Sequence, residues 1–561
     1  MSEIYDLIVI GAGPGGYESA LEAAKLGLKT AVIEKDAVGG TCLNRGCIPT
    51  KTLMHSSDLC AQIRGASRFG IGAGEPSVDM EAVQRHKDET VAALQKGILS
   101  LFKTRKVTLY QGVGTVMPSV HSCTAPGASA DSAGISADAG VTGPSKTPVQ
   151  CGAASAVENP DLGICPSSAP SAEGVSCEAG LHPVRVTAAD GSQTLLEGRR
   201  ILLATGSIPS RPPIPGLDLP GVMTSDELLS YKGAPFGSLL IIGGGVIGIE
   251  FAGIYQNFGT KIIVVEALPS LLANMDKELG QSLKLSLKKK GADIHTSASV
   301  QRLEQNPDGT IATVFLEKEK EISITADAVL VAVGRRAYTG GAFAEGAAPA
   351  MNRGRVVVDA SYQTSIPGIY AIGDVNGQIQ LAHAATAQGK HAVQTIAAQL
   401  RELPASGRTD SPVAREAERK ACAASAAAAA APAEAEAAPA PFAEAEPLLI
   451  PACVYTDPEI ASVGMTLEEA KAAGLAAKSH KIVSSANGKS VLSLQERGFI
   501  KVIYLENTHV IIGAQLLCAR ATDMVSEFAV AIRQHMTMEQ MADIVRPHPT
   551  FSEMITDAAV L

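Results

Sequence analysis

An apolar run followed by a glycine-rich turn opens the chain, and the same order of elements returns in its middle. Tyr5–Ile10 predicts a buried strand, and the turn after it reads Gly11-Ala12-Gly13-Pro14-Gly15-Gly16. A helical pattern from Tyr17 to Leu26 and a second strand over Lys29–Glu34 follow. Strand, glycine turn, helix and strand in this order predict one half of a Rossmann-like dinucleotide-binding fold.

The second copy repeats this pattern of apolar and polar positions. Its parts are a strand over Ser238–Ile242, the turn Gly243-Gly244-Gly245-Val246-Ile247-Gly248, a helix near Ile249–Phe258 and a strand over Lys261–Glu266. Glu34 and Glu266 each stand 23 positions after the first glycine of their turn. One glycine fingerprint is weak evidence, but two in matching contexts indicate two nucleotide sites.

Each glycine of the fingerprint has its own physical role. The first makes a tight turn, the second lets a pyrophosphate approach the backbone, and the third lets the helix pack on the strand. These positions are Gly11, Gly13 and Gly16 in the first copy and Gly243, Gly245 and Gly248 in the second. Glu34 and Glu266 are placed to bind ribose hydroxyls, and Glu266 would repel a 2′-phosphate, which favours NAD over NADP. The alternative is that either glutamate only ends its strand in solvent.

Three more turns follow apolar runs. Ile201–Gly206 and Ala328–Gly334 each predict a strand that closes its own nucleotide domain. Tyr370–Asp374 ends in an aspartate that could hold a polyol or only cap the turn. The last part of the chain predicts an α+β domain, with strands over Phe499–Tyr504 and His509–Ala514 and helices near Thr466–Ala473 and Thr522–His535.

One segment rich in Ser, Ala, Gly and Pro lacks the apolar positions that would offset the entropy of ordering, and a second is rich in Ala, Glu and Pro, with Ala-rich parts open to transient helix. We expect a disordered insertion and a linker there, with no catalytic residues and no metal site. The predicted organisation is a first nucleotide-binding domain at 1–118 and 181–232 with the insertion at 119–180, a second at 233–350, a central segment at 351–403, the linker at 404–447 and the C-terminal domain at 448–561.

Composition narrows the class of protein. The 561 residues are 46% hydrophobic, which predicts several domains with cores, and the net charge of −10 argues against a nucleic-acid partner. There is no uninterrupted run of about 18 strongly apolar residues, so no membrane span is expected. Because a strand pattern begins almost at once, a cytoplasmic protein is the default expectation. A mitochondrial or plastid matrix protein trimmed of its leader would look the same.

Two cysteines separated by four residues, Cys42 and Cys47, come just after the first fingerprint and the strand that follows it. Gly40 and Gly46 beside them allow the close approach of about 4.4 to 6.8 Å between Cα atoms that a disulfide requires. A structural bridge more often joins distant segments of a small secreted domain, whereas this chain is long and shows no secretory segment at its start. The pattern favours a redox-active pair over a structural one.

Thiol exchange also needs a base that works near neutral pH, and histidine suits this role. His548 lies in His548-Pro549-Thr550-Phe551-Ser552-Glu553, where Glu553 could orient it. The alternative is that Thr550 and Glu553 form an N-terminal capping box and His548 is a loop residue. Spacing alone favours the capping box.

Together these motifs resemble the pyridine nucleotide-disulfide oxidoreductases, and among them the members that oxidise dihydrolipoamide. The resemblance covers nearly everything outside the two low-complexity segments and part of Tyr338–Met351. It implies FAD on the first fingerprint, NAD on the second, and a head-to-tail homodimer whose C-terminal dimerisation domain brings His548 to the Cys pair of the other subunit. For His548 the resemblance therefore favours a role as catalytic base over the capping-box interpretation.

The resemblance also implies roles by position. Cys42 would be the interchange thiol and Cys47 the thiolate against the flavin, while His548 and Glu553 complete the catalytic set. The implied FAD contacts are Gly11, Gly13, Gly16, Glu34, Lys51, Gly114, Thr205, Gly206, Asp374 and Ala382. The implied NAD contacts are Gly243, Gly245, Gly248, Glu250, Glu266, Val300 and Gly334, with Glu250 also matching an ion pair to Lys51 near the flavin.

The implied reaction is oxidation of dihydrolipoamide, free or on a lipoyl domain of a 2-oxo acid dehydrogenase or glycine cleavage complex. Electrons would pass through the Cys42–Cys47 disulfide and FAD to NAD. Glu266, a C-terminus without extra cysteines and Leu381-Ala382-His383 favour this substrate. The alternatives are an NAD(P)H-dependent reductase of another small disulfide such as glutathione, and a non-catalytic scaffold.

Two features depart from the family pattern. Arg546 stands two positions before His548, where many members that use dihydrolipoamide have histidine. Tyr338–Met351 is rich in Ala and Gly where the family is better patterned. We expect these departures to affect the shape and charge of the His548 loop and the edge of the NAD domain.

Overall fold

The computed structural model describes residues 3–118, 180–402, 448–495 and 497–561. The predicted insertion at 119–180, apart from Gly180, and the predicted linker at 404–447 therefore lie outside the described residues. The cysteines of the insertion, for which no metal site was expected, lie outside them too: Cys123, Cys151, Cys165 and Cys177.

The first unit is built on a sheet in which β3, β2, β1 and β6 are parallel neighbours in that order. The sheet continues through antiparallel β5 and β4. Its elements are β1 (Glu3–Ile10), α1 (Pro14–Lys25), β2 (Thr30–Glu34), α2 (Gly40–Arg45), α3 (Cys47–Gly65), α4 (Met80–Arg105), β3 (Thr108–Gln111), β4 (Val113–Val116), β5 (His182–Thr187), β6 (Gln193–Leu203) and the short β7 (Ser207–Pro209).

The second unit contains a parallel sheet in the order β11, β10, β9, β15, β8 and a three-stranded antiparallel sheet of β12, β13 and β14. Strand β16 pairs with β7 of the first unit. The elements are β8 (Val222–Thr224), α5 (Ser225–Leu228), β9 (Ser238–Ile242), α6 (Val246–Asn257), β10 (Lys261–Glu266), α7 (Lys277–Lys289), β11 (Asp293–Thr296), β12 (Ala298–Gln305), β13 (Ile311–Glu317), β14 (Lys320–Ala326), β15 (Ala328–Val331) and β16 (Arg335–Ala337).

The segment that follows returns to the first unit, because β19 pairs in parallel with the end of β6. Residues Ala392, Val393 and Ile396 of α8 join the same apolar cluster as Ala20 and Ala23 of α1. This segment contains β17 (Met351–Asn352), β18 (Arg355–Val356), β19 (Ile369–Ala371) and α8 (Ala382–Glu402).

The C-terminal unit is an antiparallel sheet in the order β20, β21, β24, β23, β22, with helices packed on one core. Its elements are β20 (Ala452–Val454), β21 (Glu459–Gly464), α9 (Leu467–Ala472), β22 (Ala477–Val483), α10 (Gly488–Leu492), β23 (Phe499–Leu505), β24 (Ile511–Cys518), α11 (Ala521–Arg533), α12 (Met538–Ala542) and α13 (Glu553–Ala559). The predicted fold class, two nucleotide-binding α/β units and a C-terminal α+β unit, is confirmed. The predicted domain boundaries stay predictions.

Strand β1 shows why the first sheet forms. Leu7 and Val9 pack into the cluster on one face of the sheet, and Ile8 and Ile10 pack into the cluster on the other. Successive side chains of a strand point to opposite faces, so a continuous apolar run suits a strand that is covered on both sides. Strand β9 repeats this division between the two faces of the second sheet.

Several predicted bounds need correction. Helices α1 and α6 each begin three residues earlier than the pattern indicated, and Pro14 occupies the first turn of α1, where its missing N–H costs nothing. Strand β24 begins at Ile511 and runs on to Cys518, past the predicted end at Ala514. Its later residues are buried beside two neighbouring strands, so they lack the alternation that marks a half-exposed strand.

Two glycines of α6 give a matched test of the tight packing at the glycine turn. A Cβ on Gly248 would lie 2.2 Å from the carbonyl oxygen of Gly243, whereas one on Gly253 would meet no heavy atom within 4 Å. Gly248→Ala should lower the free energy of unfolding by about 1–3 kcal/mol through overpacking. Gly253→Ala should raise it by about 0.5–1 kcal/mol, because alanine favours a helix. Urea unfolding measures both, and a Gly248→Ala protein as stable as the parent would contradict the packing.

Candidate functional site

A cavity of 1660 Å³ lies where the glycine turns of both parallel sheets approach the start of the C-terminal unit. It exceeds the roughly 300–1,000 Å³ of an ordinary small-molecule pocket. Ligands of open α/β sheets bind at the carboxyl ends of the strands, which is where both turns lie. The predicted site residues along its wall are Gly11, Gly13, Glu34, Cys42, Cys47, Lys51, Gly114, Thr205, Gly206, Gly243, Gly245, Glu250, Glu266, Val300, Gly334, Asp374 and Ala382.

Four predicted residues lie away from the cavity wall. Gly16 and Gly248 sit inside their helices, where an added Cβ would lie 1.9 Å from the Gly11 oxygen and 2.2 Å from the Gly243 oxygen. They face the strand turn, as the packing role of a third glycine requires. His548 and Glu553 lie on the surface of the C-terminal unit, and the His548 side chain is 79% exposed.

The cavity wall is shaped to admit a ligand close to the backbone. A Cβ on Gly206, Gly245 or Gly334 would meet no heavy atom within 4 Å, so these positions face open space. Gly206 and Gly334 also have positive φ angles of 74° and 111°, which favour glycine. The wall therefore fits elongated groups such as dinucleotides, which need close contact with main-chain N–H groups.

The two cysteines are held by consecutive helices. Cys42 lies within α2, and Cys47 is the first residue of α3. A side chain on the intervening Gly46 would come within 2.9 Å of the Thr41 oxygen. Gly40, with a φ of 56°, packs so closely on the first turn that a Cβ would lie 2.5 Å from the Cα of Gly13. Small residues thus seat the thiol pair directly on the nucleotide turn.

The two thiols differ in acidity. Both residues are thiols in this structure, and the pKa of Cys47 is lowered to about 7, chiefly by a hydrogen bond between their side chains. The Lys51 ammonium contributes to this lowering, while burial and the Glu250 carboxylate oppose it. The same hydrogen bond, together with burial, raises the pKa of Cys42. A cysteine at a helix N-terminus is also stabilised as the thiolate by the helix dipole.

An ion pair behind the thiols joins all three units. Lys51 stands one helical turn after Cys47 on α3, and its Nζ lies 2.9 and 2.7 Å from the two carboxylate oxygens of Glu250 on α6. Glu250 is only 5% exposed and also accepts a hydrogen bond of 3.1 Å from the Tyr455 N–H. The Tyr455 ring lies 4.3 Å from the Lys51 Nζ. Sequence reasoning missed Tyr455, whose partners are distant in the chain.

The two strand-end glutamates make equivalent contacts. Glu34 accepts hydrogen bonds from the N–H groups of Ala12 (2.7 Å) and Asp36 (2.9 Å), and Glu266 accepts from those of Gly244 and Leu268. Burial raises the pKa of Glu34, which is 7% exposed. The alternative of a strand end in solvent is therefore wrong for Glu34. Each carboxylate holds its own glycine turn and lies at the cavity wall.

Asp374 belongs to a chain of polar contacts across the cavity wall. The Ser207 hydroxyl donates to its carboxylate, and the Arg335 Nε donates to the Ser207 hydroxyl at 2.8 Å. Burial raises the pKa of Asp374. The interpretation as a turn cap is not supported, because the side chain contacts another strand and does not cap its own turn. Ser207 and Arg335 were also missed, although each directly follows a predicted glycine turn.

The Ala-rich region after the second nucleotide unit also reaches this wall. The Thr205 hydroxyl donates to the Tyr338 carbonyl at 2.6 Å, and the Tyr338 N–H donates to the Gly206 carbonyl at 2.9 Å. The Lys35 ammonium lies 3.7 Å from the centre of the Tyr338 ring. The start of the region that departs from the family pattern is therefore joined to the first unit.

On the C-terminal unit, His548 and Glu553 form a pair. The imidazole Nδ1 and the Glu553 Oε1 are 2.8 Å apart, and the Thr550 N–H donates to the other carboxylate oxygen at 2.7 Å. Both contacts lower the pKa of Glu553, and the hydrogen bond from the Thr550 N–H has the larger effect. The predicted capping box is incomplete, because the Thr550 hydroxyl contacts Pro547 and Ser552 and the helix begins only at Glu553.

Arg546 takes a supporting position behind this loop. Its guanidinium contacts the Glu527 carboxylate at 2.7 Å and the Thr556 hydroxyl at 2.6 Å, and its side chain is 4% exposed. Arg546 thus ties the loop to α11 and α13 and points away from solvent, while His548 points into it.

Within the described ranges, no group of three or more His, Cys, Asp or Glu is arranged to hold a metal ion. No helix in the same part of the chain is long and apolar enough to cross a membrane.

Family models match the chain over most of its length. The model of the pyridine nucleotide-disulphide oxidoreductases matches residues 5–161 and 169–389, and that of their dimerisation domain matches 450–559. The chain is 32% identical to a dihydrolipoyl dehydrogenase of Bacillus subtilis, covering 100% of this chain and 98% of that protein. A dihydrolipoyl dehydrogenase of Chlamydia pneumoniae is 30% identical, with 100% and 97% covered.

Solved structures share the fold. LpdA of Mycobacterium tuberculosis matches with a TM-score of 0.73 and 23% identity, covering 99% of this chain and 98% of that one. The HOCl-induced flavoprotein disulfide reductase RclA of Escherichia coli matches with a TM-score of 0.69 and 23% identity, covering 99% of both chains.

The family uses a flavin and a pyridine nucleotide, and the open glycine turns of the cavity fit such groups. Full-length identity of about 30%, the matching family models and the thiol pair between two nucleotide turns agree. The chain is an oxidoreductase that belongs to the pyridine nucleotide-disulphide oxidoreductase family and carries its dimerisation domain.

Proposed function

We propose that the protein oxidises dihydrolipoamide with NAD, using FAD and the Cys42–Cys47 disulfide, as a dihydrolipoyl dehydrogenase. The observation that carries this proposal is a thiol pair of unequal acidity in the wall of one cavity with both glycine turns. The full-length relatives named dihydrolipoyl dehydrogenase support the substrate. We further propose that the dithiol is carried by lipoyl domains of a 2-oxo acid dehydrogenase or glycine cleavage complex in the cytoplasm.

Disulfide exchange explains why the two sulfurs differ. A substrate thiolate attacks the sulfur of Cys42, a new S–S bond forms, and the Cys42–Cys47 bond breaks. Cys47 leaves with the electron pair, which its lower pKa favours, since a more acidic thiol leaves faster. The second substrate thiolate then attacks the mixed disulfide, releases the oxidised substrate and leaves Cys42, which takes up a proton. The substrate has lost two electrons and the cysteine pair has gained them.

FAD would pass these electrons as a hydride to NAD. Residues of the first turn with Asp374 would hold FAD, and Glu266 with the second turn would hold NAD. The Lys51 ammonium stabilises the Cys47 thiolate during exchange, and the buried Glu250 fixes that ammonium. A 2′-phosphate beside the Glu266 carboxylate would be repelled, which favours NAD over NADP.

His548 is proposed to remove the proton from the substrate thiol, with Glu553 holding the imidazole in place. Its exposed side chain lies outside the cavity of its own chain, so it can serve only the cavity of another subunit. We therefore propose a homodimer whose active site combines Cys42 and Cys47 of one chain with His548 of the other. The match to the dimerisation domain supports this arrangement.

Paired assays test the function as a whole. Purified holoenzyme is given dihydrolipoamide with NAD in one assay and oxidised glutathione with NADPH in the other. The proposal expects turnover at least about 100-fold faster in the first, the scale of discrimination that a missing recognition group gives. Faster turnover with glutathione and NADPH would contradict it, and so would a protein with bound FAD that is inactive in both assays.

Cys42→Ser tests the attacked sulfur. Without this thiol no disulfide can form, so lipoamide turnover should be lost while FAD stays bound. Cys60→Ser is the matched control, because Cys60 is a half-buried thiol further along the same helix as Cys47. The measurements are NADH formation and the flavin spectrum. Retained turnover in Cys42→Ser would refute the assigned role.

His548→Gln tests the base. General base catalysis contributes about 10²–10⁴-fold, so kcat should fall by that factor with little change in FAD content. His509→Gln is the control, since His509 also pairs with a carboxylate, Glu539, on the surface of the same unit. We expect the control to keep parental kcat. Equal losses in the two variants would show that His548 has no special part in the reaction.

A further inference from the structure

Tyr455 touches both members of the Lys51–Glu250 ion pair from a different unit of the protein. It directly follows β20, the first strand of the C-terminal unit. Its main-chain N–H donates to Glu250 Oε1 at 3.1 Å, and its ring centre lies 4.3 Å from Lys51 Nζ. This distance is within the range in which an aromatic face attracts a cation. The residue lies in the wall of the same cavity as the two cysteines.

The ring stays neutral under working conditions. Burial, with the nearby Cys453 and Glu250, raises the pKa of Tyr455 to about 12. A protonated phenol adds no charge beside Cys47, and its ring keeps the electron-rich face that attracts an ammonium. Tyr455 therefore acts on Lys51 without disturbing the thiols electrostatically.

The position of the ammonium decides how strongly it acts on Cys47. The titratable groups around this thiol are Cys42 on α2, Lys51 on its own helix, Glu250 on α6 and the neutral Tyr455 phenol. Lys51 lowers the pKa of Cys47, and Glu250 raises it. Charge interactions weaken with distance. If the Lys51 ammonium moved away from Cys47, it would therefore offset less of the rise in the Cys47 pKa that the Glu250 carboxylate causes. Tyr455 gives the ammonium a second contact besides Glu250.

We propose that Tyr455 is a positioning residue of the redox centre, whose ring holds the Lys51 ammonium where it stabilises the Cys47 thiolate. Seating of the C-terminal unit then completes the electrostatic environment of a thiol pair that the first unit carries. This proposal rests on the roles of Cys42 and Cys47 proposed above, and it adds a residue that acts through Lys51 and not on substrate.

Site-resolved alkylation tests it. The fully reduced protein is treated with iodoacetamide across a range of pH, and the rate is read on Cys47 by mass spectrometry. Trypsin cuts after Arg45 and Lys51, so the peptide Gly46–Lys51 contains Cys47 without Cys42. Tyr455→Leu removes the ring but keeps the main-chain N–H, and Tyr455→Phe keeps both. Far-UV circular dichroism and FAD content check that each variant is folded.

We expect Tyr455→Leu to raise the midpoint for Cys47 by about half a pH unit, the size expected from one partly exposed cation–π contact. Below both midpoints the alkylation rate should fall about threefold, because half a unit is a factor of about three in thiolate. Tyr455→Phe should titrate like the parent. Equal midpoints for the Leu variant and the parent overturn the proposal, and so does an equal shift in the Phe variant.

Lys51→Met completes a double-mutant cycle. Because this change removes a trypsin site, Cys47 is then read by fragmentation of the longer peptide Gly46–Arg64, which also contains Cys60. In that background Tyr455→Leu should shift the Cys47 midpoint no further, and an additional shift would show that Tyr455 does not act through Lys51. If the Leu variant fails to fold, pentafluorophenylalanine at position 455 keeps the ring shape but weakens its attraction for cations, and the same shift relative to Phe is expected. Alkylation needs neither substrate nor nucleotide, so failure here is distinct from failure of lipoamide turnover.

Discussion

The redox centre depends on one electrostatic contact, the Lys51 ammonium held between the Glu250 carboxylate and the thiol at the start of α3. Lys51 belongs to the first unit and Glu250 to the second. Glu250 also accepts a hydrogen bond from the main-chain N–H of Tyr455, which belongs to the C-terminal unit. A carboxylate that is 5% exposed requires such partners, because an unpaired buried charge is strongly unfavourable. The contact that tunes the thiols therefore also holds the three units in register.

The rest of the cavity follows from a repeated constraint on main-chain packing. In both nucleotide units a helix must begin against the end of a strand, and a side chain on Gly16 or Gly248 would collide with the carbonyl of the first glycine. The strand-end glutamates then fasten each turn through its main-chain N–H groups. The outcome is two equivalent turns at one cavity, with the Cys42 helix packed on the first.

The sequence made the local part of this architecture predictable. Apolar runs and glycine turns are short-range signals, so the strands β1, β2, β9 and β10 and the two turns were expected from the chain alone. The helix starts were misjudged because the last residues of each glycine turn also fit a turn, whereas Pro14, Gly15, Gly16 and Gly248 lie inside the helices. The end of β24 was misjudged because a strand buried on both faces shows no alternation.

The candidate site was predictable only where its residues lie in motifs. The cysteine pair and the glycine turns have fixed spacing, whereas Ser207, Arg335 and Tyr455 reach their partners across 100 residues or more of chain. No periodicity encodes such a contact, since it depends on how whole units pack. The same holds for His548, which lies outside the cavity of its own chain. The proposed role of His548 needs a second subunit, and the spacing of residues within one chain does not indicate how two subunits associate.

The central claim is that the fold makes Cys47 the acidic member of the pair. The most direct test is an anaerobic pH titration of the two-electron-reduced, FAD-loaded protein, followed by the long-wavelength absorbance that a thiolate beside a flavin gives. The account predicts a band with a midpoint near pH 7. In the two serine variants, which have no disulfide to take up two electrons and are therefore titrated with the flavin oxidised, the band should be lost in Cys47→Ser and kept in Cys42→Ser. A midpoint near the ordinary thiol value of 9.0, or a band that depends on Cys42 instead, would contradict it.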